Sequence, residues 1–266
     1  MTNNKTIFKQ WDSRWGNLPY PRRPKTISSS GCGCCSVTHV LIEEPEYSDW
    51  TPKNVQPYMV KNGFAVYGHG TSWSGITKAL EHYGYKVKEP NISNTMAAAW
   101  VDLKDSLKRG VILFKGGTRG GVTWTLGGHY VAFVDYKIRN GKHYFKTKDS
   151  GRWNDGWHCY ESTMAGLMPK IWICKDFKSK APKVKKLKGY TGKLPAKTIK
   201  RGSKGDQVKR WQLFLRWAFN TTDLKAGGHF KTRTDKYTRY FQKANGLVAD
   251  GIVGPKTRRK AERYLK

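Results

Sequence analysis

The chain lacks any run of eighteen apolar residues, so no membrane-spanning helix is expected. Its start, Met1-Thr2-Asn3-Asn4-Lys5-Thr6, lacks the apolar core of a signal peptide, which points to synthesis in a cytoplasm without export by that route. Acidic side chains are scarce: 19 Asp and Glu stand against 50 Lys and Arg, a net charge of +31. Cysteine is sparse and odd in number, with five residues. In a chain without an export signal, an odd count argues for reduced thiols rather than a disulfide framework. Cys159 and Cys174 read as packing residues.

A length of 266 residues exceeds one small domain and falls short of three. Eleven Trp, 14 Tyr and 10 Phe supply enough apolar mass for a core. The charge is uneven. Residues 1–177 carry 24 basic and 14 acidic side chains, or +10, and residues 178–266 carry 26 and 5, or +21. A field of that size seeks a polyanion, and nucleic acid, an anionic membrane or a teichoic-acid-bearing wall would each satisfy it. Residues 178–189 are lysine-rich and have no apolar periodicity, so residues 178–194 read as a solvated basic linker between a domain at 1–177 and a domain at 195–266. The linker's charge serves equally as an anchor or as a spacer kept in solution.

Before the linker the pattern is α+β. Residues 33–43, 54–62, 74–82 and 95–108 have helical spacing, the last ending at Gly110. Residues 111–114 are a buried-strand run, 129–136 follow as a second strand, and Asn140-Gly141 turns the chain into a third at 143–147. After the linker the pattern is helical: Val208, Trp211, Gln212 and Leu215 share a face, as do Tyr237, Tyr240 and Phe241. A repeat of about thirty residues is visible, in which Trp211-Gln212 echoes Phe241-Gln242 and Gly228 to Thr234 echoes Gly251 to Thr257.

Chemistry concentrates in four places. Cys32 lies between Gly31 and Gly33, after a run of serines and at the start of a helix, where the positive end of the macrodipole favours thiolate. Gly31 and Gly33, and Gly128 farther on, are positions where a substrate backbone could come close. Cys34 and Cys35 compete with Cys32 for the role of nucleophile. A zinc set of Cys32, Cys34, Cys35 and His39 has the wrong spacing for a tetrahedral knuckle, so no metal is expected. Of seven histidines, His129 stands out because it follows two glycines and opens an apolar strand. His69 is a weaker rival in a loop, and His39 lies about 10 Å along the nucleophile's own helix, too far to take its proton. Asp149, at the end of the strand expected to pair with the His129 strand, is the candidate orienting acid, with Asp155 as an outside alternative. A strict two-residue turn would put Asp149 on the wrong face, and a bulge at Gly141 would restore the parity. Asp135 is about 20 Å along the strand from His129. Gln10 offers a side-chain amide to a tetrahedral oxyanion, alongside the Cys32 N–H.

Residues 8–149 resemble the papain-like cysteine peptidases of the bacteriocin-leader-processing type. The motifs are Gln10-Trp11-Asp12, Ser30-Gly31-Cys32-Gly33, Gly128-His129-Tyr130-Val131 and Asp149-Ser150. The resemblance implies Cys32 as nucleophile, His129 as base, Asp149 as orienter and Gln10 as oxyanion donor, with no cofactor. The chain departs from the family at Cys34-Cys35, where Pro-Thr is frequent, and at Ser150, where Pro is frequent. Residues from about 195 to 266 resemble the peptidoglycan-binding domain of bacterial and phage wall hydrolases. The motifs are Arg201 to Val208, Trp211-Gln212, Phe241-Gln242 and Asp250-Gly251-Ile252-Val253-Gly254-Pro255. That likeness implies wall contacts near Trp211, Asp250 and Gly251. Gly227-Gly228 replaces the usual Asp-Gly in the first half-repeat.

Together the two likenesses imply a phage-type endolysin. The expected fold is an α+β papain-like domain followed by a small all-α peptidoglycan-binding domain. The expected reaction is Cys-His-Asp hydrolysis of an amide bond in wall peptides, by an endopeptidase or an N-acetylmuramoyl-L-alanine amidase. The expected partner is the peptidoglycan of Gram-positive bacteria or an anionic polymer of their wall, with no specific need for nucleic acid. The expected form is a monomer, held in the host cytoplasm until lysis and then active at the cell wall. Two other classes stay open: a catalytically inert basic protein that binds wall or nucleic acid, and a soluble leader-peptide peptidase.

Overall fold

In the computed structural model, which describes residues 6–151, 154–179, 182–185 and 188–266, the chain is mixed α+β with a helical C-terminal region. Its residues separate into two compact units. Of the described residues, one unit comprises 6–42 and 50–178, and the other 43–49 and those from 179 to 266. Among the described residues no helix is long and apolar enough to cross a membrane.

The first unit is built on a six-stranded antiparallel sheet. Its spatial order is Tyr85–Lys88, Lys170–Phe177, Gly110–Phe114, His129–Arg139, Lys142–Lys148 and Gly156–Cys159. Gly110–Phe114 is buried along its whole length, as its unbroken apolar run requires. Gly110 stands so close to the next strand that a Cβ there would lie 1.9 Å from the Trp172 carbonyl oxygen. Phe114, Trp124, Val131, Phe133, Phe145 and Ile171 fill one core, with Phe114 and Trp124 stacked at 4.1 Å.

The helix Cys32–Leu41 packs on the His129–Arg139 strand, and every residue after Cys32 in it is buried. Ser36 Oγ donates to the Tyr130 carbonyl at 3.0 Å, a bond that fixes the helix against the strand just past His129. Helices at Pro52–Lys61 and Trp73–His82 match the expected segments within two residues, and each opens on a Thr or Ser cap. The fourth helix is shorter than its periodicity predicts, Ala97–Lys104 instead of 95–108. The reason is tertiary: Leu107 N–H donates to the Cys174 carbonyl, and Lys108 takes a left-handed φ of 55°.

The hairpin that carries the site differs from expectation in one respect. Asn140 and Gly141, at φ 50° and 71°, form a two-residue turn with Arg139 facing Lys142, so there is no bulge at Gly141. The extra residue is Val134, because Phe133 pairs with Thr147 while Asp135 pairs with Lys146. Ala132 then faces Lys148, which sets Asp149 beside Val131 and on the same side of the sheet as His129.

The second unit packs helices Asp206–Phe219, Thr232–Ala244 and Pro255–Glu262 around Trp211, Phe214, Leu215, Phe241 and Val253. The sequence repeat has a physical basis. Gln212 accepts from Gly228 N–H and donates to His229 O and Thr234 Oγ1, each at 2.9 Å. Gln242 repeats this, accepting from Gly251 N–H at 2.9 Å and donating to Ile252 O at 2.9 Å and Thr257 Oγ1 at 3.1 Å. Each buried carboxamide ties a glycine turn, φ 72° at Gly228 and 76° at Gly251, to the start of the next helix.

The solvated linker expected at 178–194 is corrected from Val184 onward, where Val184 packs against the helical core and Lys185 N–H donates to Ala218 O. Tyr190 is buried in the helical core, Leu194 packs against that core, and Tyr190 N–H donates to Tyr264 O. Lys180, Ala181, Lys186 and Leu187 lie outside the described residues, as do Met1 to Lys5 at the start of the chain.

Candidate active site

Cys32 is the first residue of its helix and is half-buried, open to a cleft of about 490 Å³. Its thiol is hydrogen-bonded to the His129 imidazole. Burial raises the pKa of this thiol, but the hydrogen bond and charge of His129 and the N–H groups of Tyr130 and Gly33 more than offset it, and the net value lies below that of an ordinary thiol. His129 Nε2 lies 2.7 Å from Asp149 Oδ1, so Nδ1 is the ring nitrogen left for the thiol. Burial disfavours the imidazolium, yet the bonds to Asp149 and Cys32 and their negative charge raise it to about 10. At neutral pH both shifts favour a thiolate–imidazolium pair.

Asp149 is fully buried, and its Oδ1 also accepts from Gly151 N–H at 2.8 Å. Its backbone is held by two partners that sequence reasoning missed or misassigned. Asp149 N–H donates to Asp155 Oδ1 at 2.7 Å, and Lys9 Nζ donates to Asp149 O at 2.7 Å. Lys9 and Asp155 form an ion pair at 3.1 Å. Asp155 therefore fixes the loop that carries Asp149 and does not itself bond the imidazole. Asp135 accepts from Tyr136 N–H at 2.8 Å.

Gln10 reaches the same place from the N-terminal segment. Its N–H donates to Ser150 O at 3.0 Å, its Nε2 donates to Ile27 O at 3.2 Å, and its Oε1 accepts from Ser150 Oγ at 3.3 Å. A donation from Gln10 to an oxyanion requires that it exchange a bond to Ile27 or Ser28 for one to the substrate. Gly151, absent from the sequence reading, is the neighbour this arrangement cannot enlarge. A Cβ on it would lie 2.7 Å from His129 Cε1, 3.0 Å from His129 Nε2 and 3.2 Å from Gln10 Oε1. Gly151→Ala is expected to push the imidazole off its line and to lower kcat by on the order of 10²-fold with the melting curve little changed, as displacements of about 1 Å do in catalytic geometry. An unaltered kcat in Gly151→Ala would show that the ring's position carries no function.

The rival nucleophiles are corrected. Cys34 Sγ–H faces the Pro52 carbonyl at 3.7 Å, and burial pushes its thiol up. Cys35 is fully buried, which pushes its thiol well above the ordinary value, with the charges of Cys34 and Cys32 adding to the effect. His39 Nε2 accepts from Phe8 N–H at 2.7 Å, and its ring stacks on Phe8, which makes it a core histidine. Among the described residues no group of three or more His, Cys, Asp or Glu is arranged to hold a metal ion.

Two glycines expected at the substrate are corrected as well. Gly31 and Gly33 are buried, and their missing side chains admit the protein's own atoms. A Cβ at Gly33 would lie 2.4 Å from Thr71 Oγ1, and one at Gly31 would lie 2.7 Å from Ile27 Cα. Gly128 differs, being exposed and lining the cleft, together with His69 and Trp73.

In the second unit, Trp211 is fully buried and its Nε1–H donates to Thr238 Oγ1 at 2.8 Å, so it belongs to the core rather than to a wall-binding groove. Asp250 Oδ1 accepts from Gln242 Nε2 and from Ile252 N–H, and a Cβ at Gly251 would collide with Asp235 Oδ1 at 2.1 Å. Both residues shape a turn.

Comparison with known proteins bears on the second unit. Residues 204–260 match the family described as "Putative peptidoglycan binding domain", and the chain carries a peptidoglycan-binding domain there. Among solved structures, the SleB N-terminal domain is 32% identical over 26% of this chain and 94% of its own, at a TM-score of 0.24. A periplasmic domain of the EpsAB fusion protein of the Vibrio vulnificus type II secretion system is 12% identical over 69% of this chain and 67% of its own, at a TM-score of 0.26. Neither score marks a shared fold. No curated protein matches the chain.

Proposed function

We propose that the first unit is a cysteine hydrolase of papain-like type that cleaves an amide bond in wall peptides, and that the peptidoglycan-binding domain holds it on its substrate. The observation that carries the reading is the line from Cys32 through His129 to Asp149, with a depressed thiol at one end, a fully buried carboxylate at the other and an open cleft at the sulfur. The Cys32 thiolate attacks the amide carbonyl carbon. The oxyanion is received by the Cys32 N–H at the free start of the helix and by the Gln10 carboxamide. His129 then gives its Nδ1 proton to the departing amine, which leaves a thioester on Cys32. Water, deprotonated by the same nitrogen, hydrolyses that thioester and restores the pair. Asp149 keeps the ring oriented and its positive charge stabilised through both halves.

The peptidoglycan-binding domain at residues 204–260 favours a wall substrate over a leader peptide, and the excess of cations favours an anionic wall. An origin in a phage lysis system is the reading most in keeping with this pairing of domains. Fragments released from purified Gram-positive walls provide the test by mass spectrometry. New amino termini are expected, and their identity distinguishes the muramoyl–L-alanine amide from a bond within the stem or cross-bridge. New reducing sugar ends without new amino termini would exclude amide hydrolysis.

A further inference from the structure

The cleft at Cys32 is lined by a cation, Lys25, that no described carboxylate pairs with. Lys25 lines it, half-buried, with its carbonyl fixed by a 2.8 Å bond from Tyr20 N–H. No Asp or Glu lines the cleft, and no described carboxylate pairs with Lys25. Elsewhere in this unit three of the four other half-buried lysines are paired, Lys9 with Asp155, Lys170 with Glu89 and Lys175 with Asp102, and Lys146, on the strand Lys142–Lys148, is the exception. Arg22 and Arg23 lie just before Lys25 and are exposed, so the approach to that wall of the cleft is positive as well. An amide to be cut brings no charge of its own. A lysine without a described counterion, lining the same cleft as the nucleophile, offers a site for a carboxylate carried on the same substrate.

We propose that Lys25 is a specificity residue that binds a free carboxylate of the wall peptide, so that the cleft takes acidic stem peptides in preference to their amidated forms. This rests on the hydrolase reading above. The free carboxylate of a glutamate in the stem supplies the required group, and its carboxamide, nearly the same in shape, does not. Because the ammonium is partly exposed, the preference is modest, about threefold to tenfold in kcat/KM, and fades as salt screens the pair.

The test uses two soluble muramoyl-peptides that differ only in whether the second stem residue carries a carboxylate or a carboxamide. Each is offered to the full-length wild type, to Lys25→Gln and to Lys25→Arg. The ratio of kcat/KM for the acid over the amide is expected to be about three to ten in the wild type, near one in Lys25→Gln and largely restored in Lys25→Arg. Loss of folding alone would not move that ratio. A wild-type ratio near one, or an undiminished ratio in Lys25→Gln, overturns the Lys25 assignment while Cys32-dependent cleavage leaves the hydrolase reading standing. Digestion of whole walls with neither fragment cut also overturns the assignment alone. No amide cleavage of fragments or walls by the wild type overturns both.

Discussion

Cys32→Ala is expected to abolish release of amino termini from purified walls, a fall of at least about 10³-fold, while binding of the protein to those walls is retained. Three observations set the size of this effect. Among the described residues of the cleft, the sulfur alone is both hydrogen-bonded to His129 and depressed in pKa, as Cys34 and Cys35 are shut in the core with raised thiols. The substitution removes a single sulfur at a half-buried helix start, so it leaves no large cavity. The peptidoglycan-binding domain at residues 204–260 has its own core and retains its surface. Turbidity loss for lysis and co-sedimentation for binding separate the two effects. Lysis unaltered in Cys32→Ala would dismiss the thiol mechanism, and lysis absent in both proteins would favour a binding protein without catalysis.

The second large effect concerns pH and Asp149. In the proposed mechanism, activity requires Cys32 as thiolate and His129 as imidazolium. The thiol titrates below its ordinary range, so on the acid side activity is lost as pH falls through that depressed value. The imidazolium persists to about 10, so on the alkaline side activity is lost as pH rises through it. A broad bell is expected, with its plateau across neutral pH. Asp149→Asn removes the strongest influence that raises His129, its hydrogen bond to the carboxylate, together with the carboxylate's charge. The alkaline limb should then move to lower pH, and turnover at neutral pH should fall on the order of 10²-fold. The same substitution reports on stability. A folded-state pKa raised above the unfolded value stabilises fully below the unfolded value, and that contribution is lost as pH rises through the folded value. Destabilisation by Asp149→Asn through this linkage should therefore be greatest below the ordinary imidazole value of 6.5 and shrink as pH rises toward about 10. A pH–rate profile with an unmoved alkaline limb in Asp149→Asn would show that the carboxylate does not govern the ring.

Much of this site could be read from the sequence because each part had a local signature. Cys32 followed a serine turn, His129 opened an apolar strand after two glycines, and Asn140-Gly141 announced the hairpin that brings Asp149 back. The parity of that hairpin was legible only as a requirement. A residue had to be inserted somewhere, and Val134, inside an apolar run with no glycine to mark it, gives no sign that it is the one. Lys9, Ser150 and Gly151 were out of reach for a similar reason, since they act through contacts between segments about 140 residues apart. The strands at Gly117–Arg119 and Val122–Thr125 do carry a local signal, the Gly120-Gly121 pair that turns them at φ 54° and 75°. The glycines flanking Cys32 show the opposite error. Glycine reports that something approaches closely, and in a buried helix start the visitor is the protein's own Thr71 or Ile27.

The paired carboxamides of the second unit make it modular in a way that bears on how such a domain can diverge. Gln212 and Gln242 each close a turn using only atoms of their own half, so either rim can change its outward side chains without unseating the other. The two halves already differ in that respect. Asp250 locks the second turn through Gln242 and Ile252, while Gly227 in the first contributes no side chain at all. One half has kept a fixed outline and the other a blank one, which leaves the Gly227 rim as the half free to acquire a new preference at little cost to the fold.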